Sequence, residues 1–165
     1  IFMPDAGPAA IAVALDYGTS LCWDAGSCRL RYSWTGGFID GYPYWRANGS
    51  SVAKLNGSIG YVEEKSPFAD AGERKFLGYS VKAGLPIFRY KVGVATVTEG
   101  YSPVEKGKGF VRSFSVSPAP DAPLVLNFSN DENAKITSDT GVLDGTKLTL
   151  TPAEASKFTL TFSLK

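Results

Sequence analysis

The chain has 165 residues, 44% of them hydrophobic and 20% charged, with 17 basic against 16 acidic side chains and no histidine. That length suits a single domain, residues 1–165, which buries roughly two-thirds of the surface of its extended chain. A net charge of +1 without a long block of either sign speaks against a nucleic-acid surface, and no run of about 18 apolar residues offers a membrane span. The missing histidine removes histidine-dependent triads and the usual imidazole base.

In chain order, AAIAVAL at 9–15 sets Ile11, Val13 and Leu15 at period two, as a strand with one apolar face requires. Cys22 and Cys28 then bracket LCWDAGSC, whose Asp-Ala-Gly-Ser centre favours a turn; the reading is a small disulfide-closed loop, with two buried thiols as the alternative. A disulfide favours an oxidising compartment, hence a secreted or periplasmic chain. Constraint in that loop would help Trp23, beside Asp24, to reach a partner, although the same geometry could wedge the indole into the core.

CRLRYSW at 28–34 alternates Leu30, Tyr32 and Trp34 with Arg29, Arg31 and Ser33, the clearest strand signal of the first half. The following GGFIDGYPYWRANG loses that alternation and reads as a loop. Tyr42, Tyr44 and Trp45 would give it a flat amphipathic platform, with Asp40, Arg46 and Asn48 supplying directional polar contacts. That mixture suits the apolar face and hydroxyl edge of a sugar ring, in an oligosaccharide or polysaccharide. The competing readings are a loop folded back to seal the core and a contact with another protein.

Farther on, Asn56-Gly57 predicts a hairpin turn. FLGYSV at 76–81 and PIFRYKVGVATV at 86–97 predict further strands, the second either continuous or interrupted near Gly93. FVRSFSV at 110–116, PLVLNFS at 123–129, KLTL at 147–150 and KFTLTFSL at 157–164 continue the pattern. Only SPFADAGERK and TPAEASKF offer helical turns. About ten short strands predict an all-β domain, an antiparallel β-sandwich with a small closed β-barrel as the alternative.

Nothing in the motifs favours an enzyme or a cofactor: there is no dinucleotide fingerprint, phosphate loop, serine elbow or haem-attachment motif. Two cysteines without histidine do not complete a zinc site. The remaining catalytic route is a pair of carboxylates drawn from Asp16, Asp24, Asp40, Glu63, Glu64, Glu99 and Glu105, as in glycoside hydrolysis, although sequence separation does not fix their spacing.

DAGPAAIAVAL at 5–15, CWDAGSCRLRYSWTGGFID at 22–40, and more loosely FLGYSVKAGLPIFRYKVG at 76–93 and GFVRSFSV at 109–116 resemble an uncharacterised β-rich module of large secreted or periplasmic bacterial proteins that also carry cytochrome c or sugar-dehydrogenase-like domains. The resemblance supplies no catalytic residues. It implies a non-catalytic accessory module outside the cytoplasm, beside a redox or carbohydrate-processing domain. The start at Ile1 rather than methionine fits a processed protein or an excised module.

Overall fold

A computed structural model of the chain describes residues 1–47 and 51–165. The first elements are β1 (Ala10–Ala14), β2 (Thr19–Asp24), β3 (Arg29–Asp40), the short helix α1 (Tyr42–Arg46) and β4 (Lys54–Val62). A run of hairpins follows: β5 (Arg74–Lys82), β6 (Leu85–Val92), β7 (Ala95–Pro103) and β8 (Gly109–Ser117). The last third holds β9 (Leu124–Asn127), β10 (Ala134–Ser138), β11 (Val142–Asp144), β12 (Lys147–Leu150) and β13 (Phe158–Leu164).

These strands form three antiparallel sheets, ordered β1-β2-β3-β4, β10-β13-β8-β7-β6-β5 and β11-β12-β9. None closes on itself, so the architecture is the sandwich and not the barrel. One core joins all three: Leu21, Trp23, Leu30 and Tyr61 come from the first sheet, Phe88, Phe110, Phe114 and Phe162 from the second, and Leu126, Leu148 and Leu150 from the third. Aromatic pairs span the layers. Trp23 lies flat on Phe88 with ring centroids 4.1 Å apart, and Tyr61 meets Phe162 edge-on at 5.1 Å. Burying each such side chain contributes about 1.5–3 kcal/mol.

A second, smaller cluster lies on the opposite face of the first sheet, where Met3 and Ala53 cover Ala10, Cys22, Tyr32 and Trp34. This cover explains why all six residues of β2 are buried. A central strand covered on both faces lacks the polar alternation that marks a half-exposed strand, which is why TSLCWD reads as the edge of a loop.

The expected disulfide is absent: Cys22 and Cys28 are separate, buried thiols. The reason is the pleat. Cys22 belongs to the outer cluster, whereas Cys28 belongs to the central core with Trp23, so the two sulfurs lie on opposite faces of the sheet. The turn between them is held instead by the Asp24 carboxylate, which accepts hydrogen bonds from the Gly26 amide at 2.9 Å and the Ser27 hydroxyl at 2.9 Å. Burial pushes both thiols up to about 11.

The hairpin expected at Asn56-Gly57 is also corrected, because both residues lie inside β4. Gly57 faces Gly36 of β3 between two register shifts, and a Cβ there would collide with the Thr35 carbonyl oxygen. The glycine serves a close backbone approach and not a turn. Gly93, by contrast, does divide the 86–97 run: β6 and β7 pair from Val92↔Ala95 onward, with Gly93 and Val94 between them. TPAEASKF supplies a single 3-10 turn, Glu154–Ser156, and SPFADAGERK supplies turns without a helix. Among the described residues no helix is long and apolar enough to cross a membrane.

Candidate functional site

The aromatic stretch is mostly ordered secondary structure. β3 continues through Gly36 and Gly37 to Asp40, and α1 follows at once, so the expected loop is a strand end and a five-residue helix. Pro43 sits in the first turn of α1, where the missing amide hydrogen costs nothing. The Asp40 carboxylate accepts the Tyr42 amide hydrogen at 2.9 Å, fixing the entry into the helix.

Helical spacing then separates the rings. Tyr42 and Trp45, three residues apart, are 62% and 68% exposed. Tyr44 turns aside, half-buried, against Phe2 with centroids 6.1 Å apart. Trp45 lies over Gly41, where an added Cβ would stand 2.9 Å from its ring, so the indole is supported on backbone and still largely open to solvent. The Ala53 amide donates to the Phe2 carbonyl at 2.9 Å, tying the chain just before β4 to the N-terminal stretch that carries Phe2. Arg46 is exposed at the end of α1. Asn48 lies outside the described residues.

Of the two placements open to Trp23, the structure takes the core and not the surface contact. Trp23 is 0% exposed, clamped by Phe76, Phe88 and Tyr90, and reaches no partner at the surface. It stands two residues from core-facing Leu21 on β2 and directly opposite core-facing Leu30 on β3, and that register carries it inward.

Below the surface the strands bring together a group that sequence reasoning did not assemble. Arg112 on β8 is wholly buried, with its Nη1 donating to Glu63 Oε2 at 2.5 Å, Nη2 to Glu63 Oε1 at 3.1 Å and Nε to Glu99 Oε1 at 2.7 Å. Glu99 Oε2 also accepts the Tyr90 hydroxyl at 2.7 Å, and Oε1 accepts that of Tyr101. The guanidinium carbon stands 5.1 Å from the ring centroid of Phe114 and 5.6–5.9 Å from those of Tyr101, Phe128 and Phe162.

One cation serves two carboxylates here. Burial works against the charge on Arg112, but Glu63 and Glu99 outweigh it and hold the guanidinium well above its ordinary range. Glu99 accepts from three donors, whereas among the described residues the Glu63 carboxylate accepts hydrogen bonds from Arg112 alone, with the charge of Arg29 adding a weaker attraction. Burial therefore raises Glu63 despite the attraction of the guanidinium. The Tyr90 and Tyr101 hydroxyls are likewise pushed well up by burial, with Glu99 adding to the rise.

Two of the seven candidate carboxylates thus converge, yet both have 0% side-chain exposure and share an arginine instead of an open groove. A signal for this group was present. Period two places Arg112 with Phe110 and Phe114 on β8, Glu99 with Val97 and Tyr101 on β7, and Glu63, one residue past the end of β4, with Tyr61, so the three charges fall on the core-facing side of their segments. No protein-family model, curated protein or solved structure matches the chain.

Proposed function

We propose that the chain is a non-catalytic accessory module that docks onto a neighbouring protein domain through the aromatic surface of α1. The observation that carries this reading is the joint exposure of Tyr42 and Trp45 on one face of a short, backbone-supported helix, with the exposed Phe2 packed on the neighbouring Tyr44. Exposed aromatic surface of this kind is typical of interaction sites, and Trp and Tyr dominate interface energetics.

A sugar site needs directional polar groups around its rings. Here the Asp40 carboxylate is engaged with the Tyr42 amide and Tyr44 is turned toward Phe2, leaving Arg46 as the described polar neighbour. Those features favour a protein partner over a glycan. The non-catalytic part of the reading is supported by the seclusion of Glu63 and Glu99, which leaves a substrate no path to them. An extracytoplasmic location, next to a cytochrome or sugar-dehydrogenase-like domain, rests on the sequence resemblance alone, since the thiols are unpaired.

The test is photo-crosslinking from position 45 in the full-length protein, with Lys147, exposed on β12, as the control position. Crosslinks from position 45 to one adjacent domain, absent from position 147, are expected. Equal labelling from both positions refutes docking at α1. Saturable binding on a glycan panel that disappears in Trp45→Ala would establish the carbohydrate reading in its place.

A further inference from the structure

The β5–β6 hairpin presents a different surface from α1. β5 is the outermost strand of the six-stranded sheet, and among the described residues no strand pairs with its free edge. At nine residues it is a long edge, interrupted by a register shift between Phe76 and Gly78; from Gly78 to Lys82 it offers a row of backbone donors and acceptors to a further strand.

The two faces along this edge differ in chemistry. Register with β6 sets Tyr79 opposite Phe88 and Val81 opposite Pro86, on the core-facing side, yet Tyr79 is 60% and Val81 63% exposed. The hairpin therefore projects past the covering sheet. On the other side, Lys75 stands directly opposite Lys91, and Gly78 opposite Arg89, with Lys82 farther along. From Arg74 to Thr98 the chain contains no carboxylate. Arg74 is engaged with the Ser27 carbonyl, but among the described residues Lys75, Lys82, Arg89 and Lys91 form no ion pair. Like charges placed opposite each other on neighbouring strands oppose folding unless an anion arrives to compensate them.

We propose that the free edge of β5 receives an extended acidic segment of a partner protein as an added strand, its alternate acidic and apolar side chains matching Lys75 and Lys82 on one face and Tyr79 and Val81 on the other. Main-chain hydrogen bonds supply affinity in this mode and alternating side chains supply selection. The same lysines repel a second copy of β5, so one charge pattern both admits an acidic strand and blocks self-pairing.

The probe is an eight-residue capped peptide alternating glutamate and valine, compared with a lysine–valine peptide and with the glutamate–valine peptide N-methylated at alternate residues. Hydrogen exchange and fluorescence anisotropy on the 165-residue chain give the readouts. The expected result is saturable binding of the acidic peptide alone, with new protection of amides in Arg74–Lys82. Lys75→Glu/Lys82→Glu should weaken it by roughly tenfold, with an unchanged circular dichroism spectrum. No saturable binding overturns the proposal. Equal binding of the N-methylated peptide overturns it in favour of charge attraction alone, and peptide-independent dimerisation through β5 overturns it in favour of a second copy.

Discussion

Arg112→Met removes the charge of the buried cluster while keeping a long side chain against Phe114, Phe128 and Phe162. The lost hydrogen bonds are three, two to Glu63 and one to Glu99, and both carboxylates remain at 0% side-chain exposure. Removing one partner from such a group costs about 3–5 kcal/mol, chiefly because the other is left buried and uncompensated. For a domain of this size that corresponds to a fall in melting temperature of roughly 6–20 °C. The loss should be larger at pH 7 than at pH 5, because the abandoned carboxyls escape the penalty by binding protons. Urea titration at both pH values measures it. The companion is Arg112→Met/Glu63→Gln/Glu99→Gln, which deletes all three charges and keeps acceptors for Tyr90 and Tyr101. It should recover most of the lost stability, since a neutral replacement of a whole buried ion group is often nearly without cost. A single variant within about 1 kcal/mol of the parent, or a triple variant as unstable as the single, refutes the account of the cluster as a mutually dependent charge group.

Because the folded chain holds the Glu63 carboxyl above its usual value of 4.5, folding takes up a proton in the window above that value. Its contribution to stability is therefore present below pH 4.5 and is lost as pH rises through the folded value. Glu63→Gln should flatten that part of the urea-midpoint profile, and an unchanged slope counts against the assignment. Cys22 and Cys28, with thiols near 11, should resist iodoacetamide at pH 8 in the native chain and react in urea, and intact mass should show two free thiols, not a species lighter by two hydrogens. Gly57→Ala places a methyl group on the Thr35 carbonyl oxygen and should cost about 3 kcal/mol, whereas Gly107→Ala, with open space around it, should leave the melting temperature within a degree or two.

The fold class was readable because most strands have one wet face. β8 and β13 alternate visibly, and their apolar positions Phe110, Phe114, Val116, Phe158, Leu160 and Phe162 enter the core. The errors arise where that condition fails. β2 is covered on both sides, so its sequence carries no alternation; Cys22 on β2 and Cys28 in the turn before β3 look like neighbours across a loop, whereas Cys22 enters the outer cluster and Cys28 the central core. Asn56-Gly57 fits a tight turn and a tight strand approach equally well. Local chemistry does not choose between them; the choice is made by β3 lying against it at Gly36. β10 and β11 were missed because AKITS and VLD are short and half-exposed, held by the partners β13 and β12 more than by their own composition.

For the candidate site the limit is different. Tyr42 and Trp45 could be named from composition, but which rings share a face depends on the backbone: an extended segment would align Tyr42 with Tyr44, whereas a helix aligns Tyr42 with Trp45 and sends Tyr44 to Phe2. The buried cluster shows the converse. Its three charges each occupy a slot that alternation assigns to the core, and a lone charge there is expensive enough to contradict the strand assignment. Three such slots, on β7, on β8 and just past the end of β4, with one arginine against two glutamates, remove the contradiction only if these segments converge. Charge in the wrong half of an alternating pattern is thus long-range information: Arg112 requires Glu63 and Glu99 nearby, and their meeting ties the end of β4 to the middle of the six-stranded sheet. A hydrophobic residue at position 112 would be compatible with many sheet arrangements. Arginine is compatible with those that bring both carboxylates to it, so the cluster restricts how the layers can be packed even where its net contribution to stability is small.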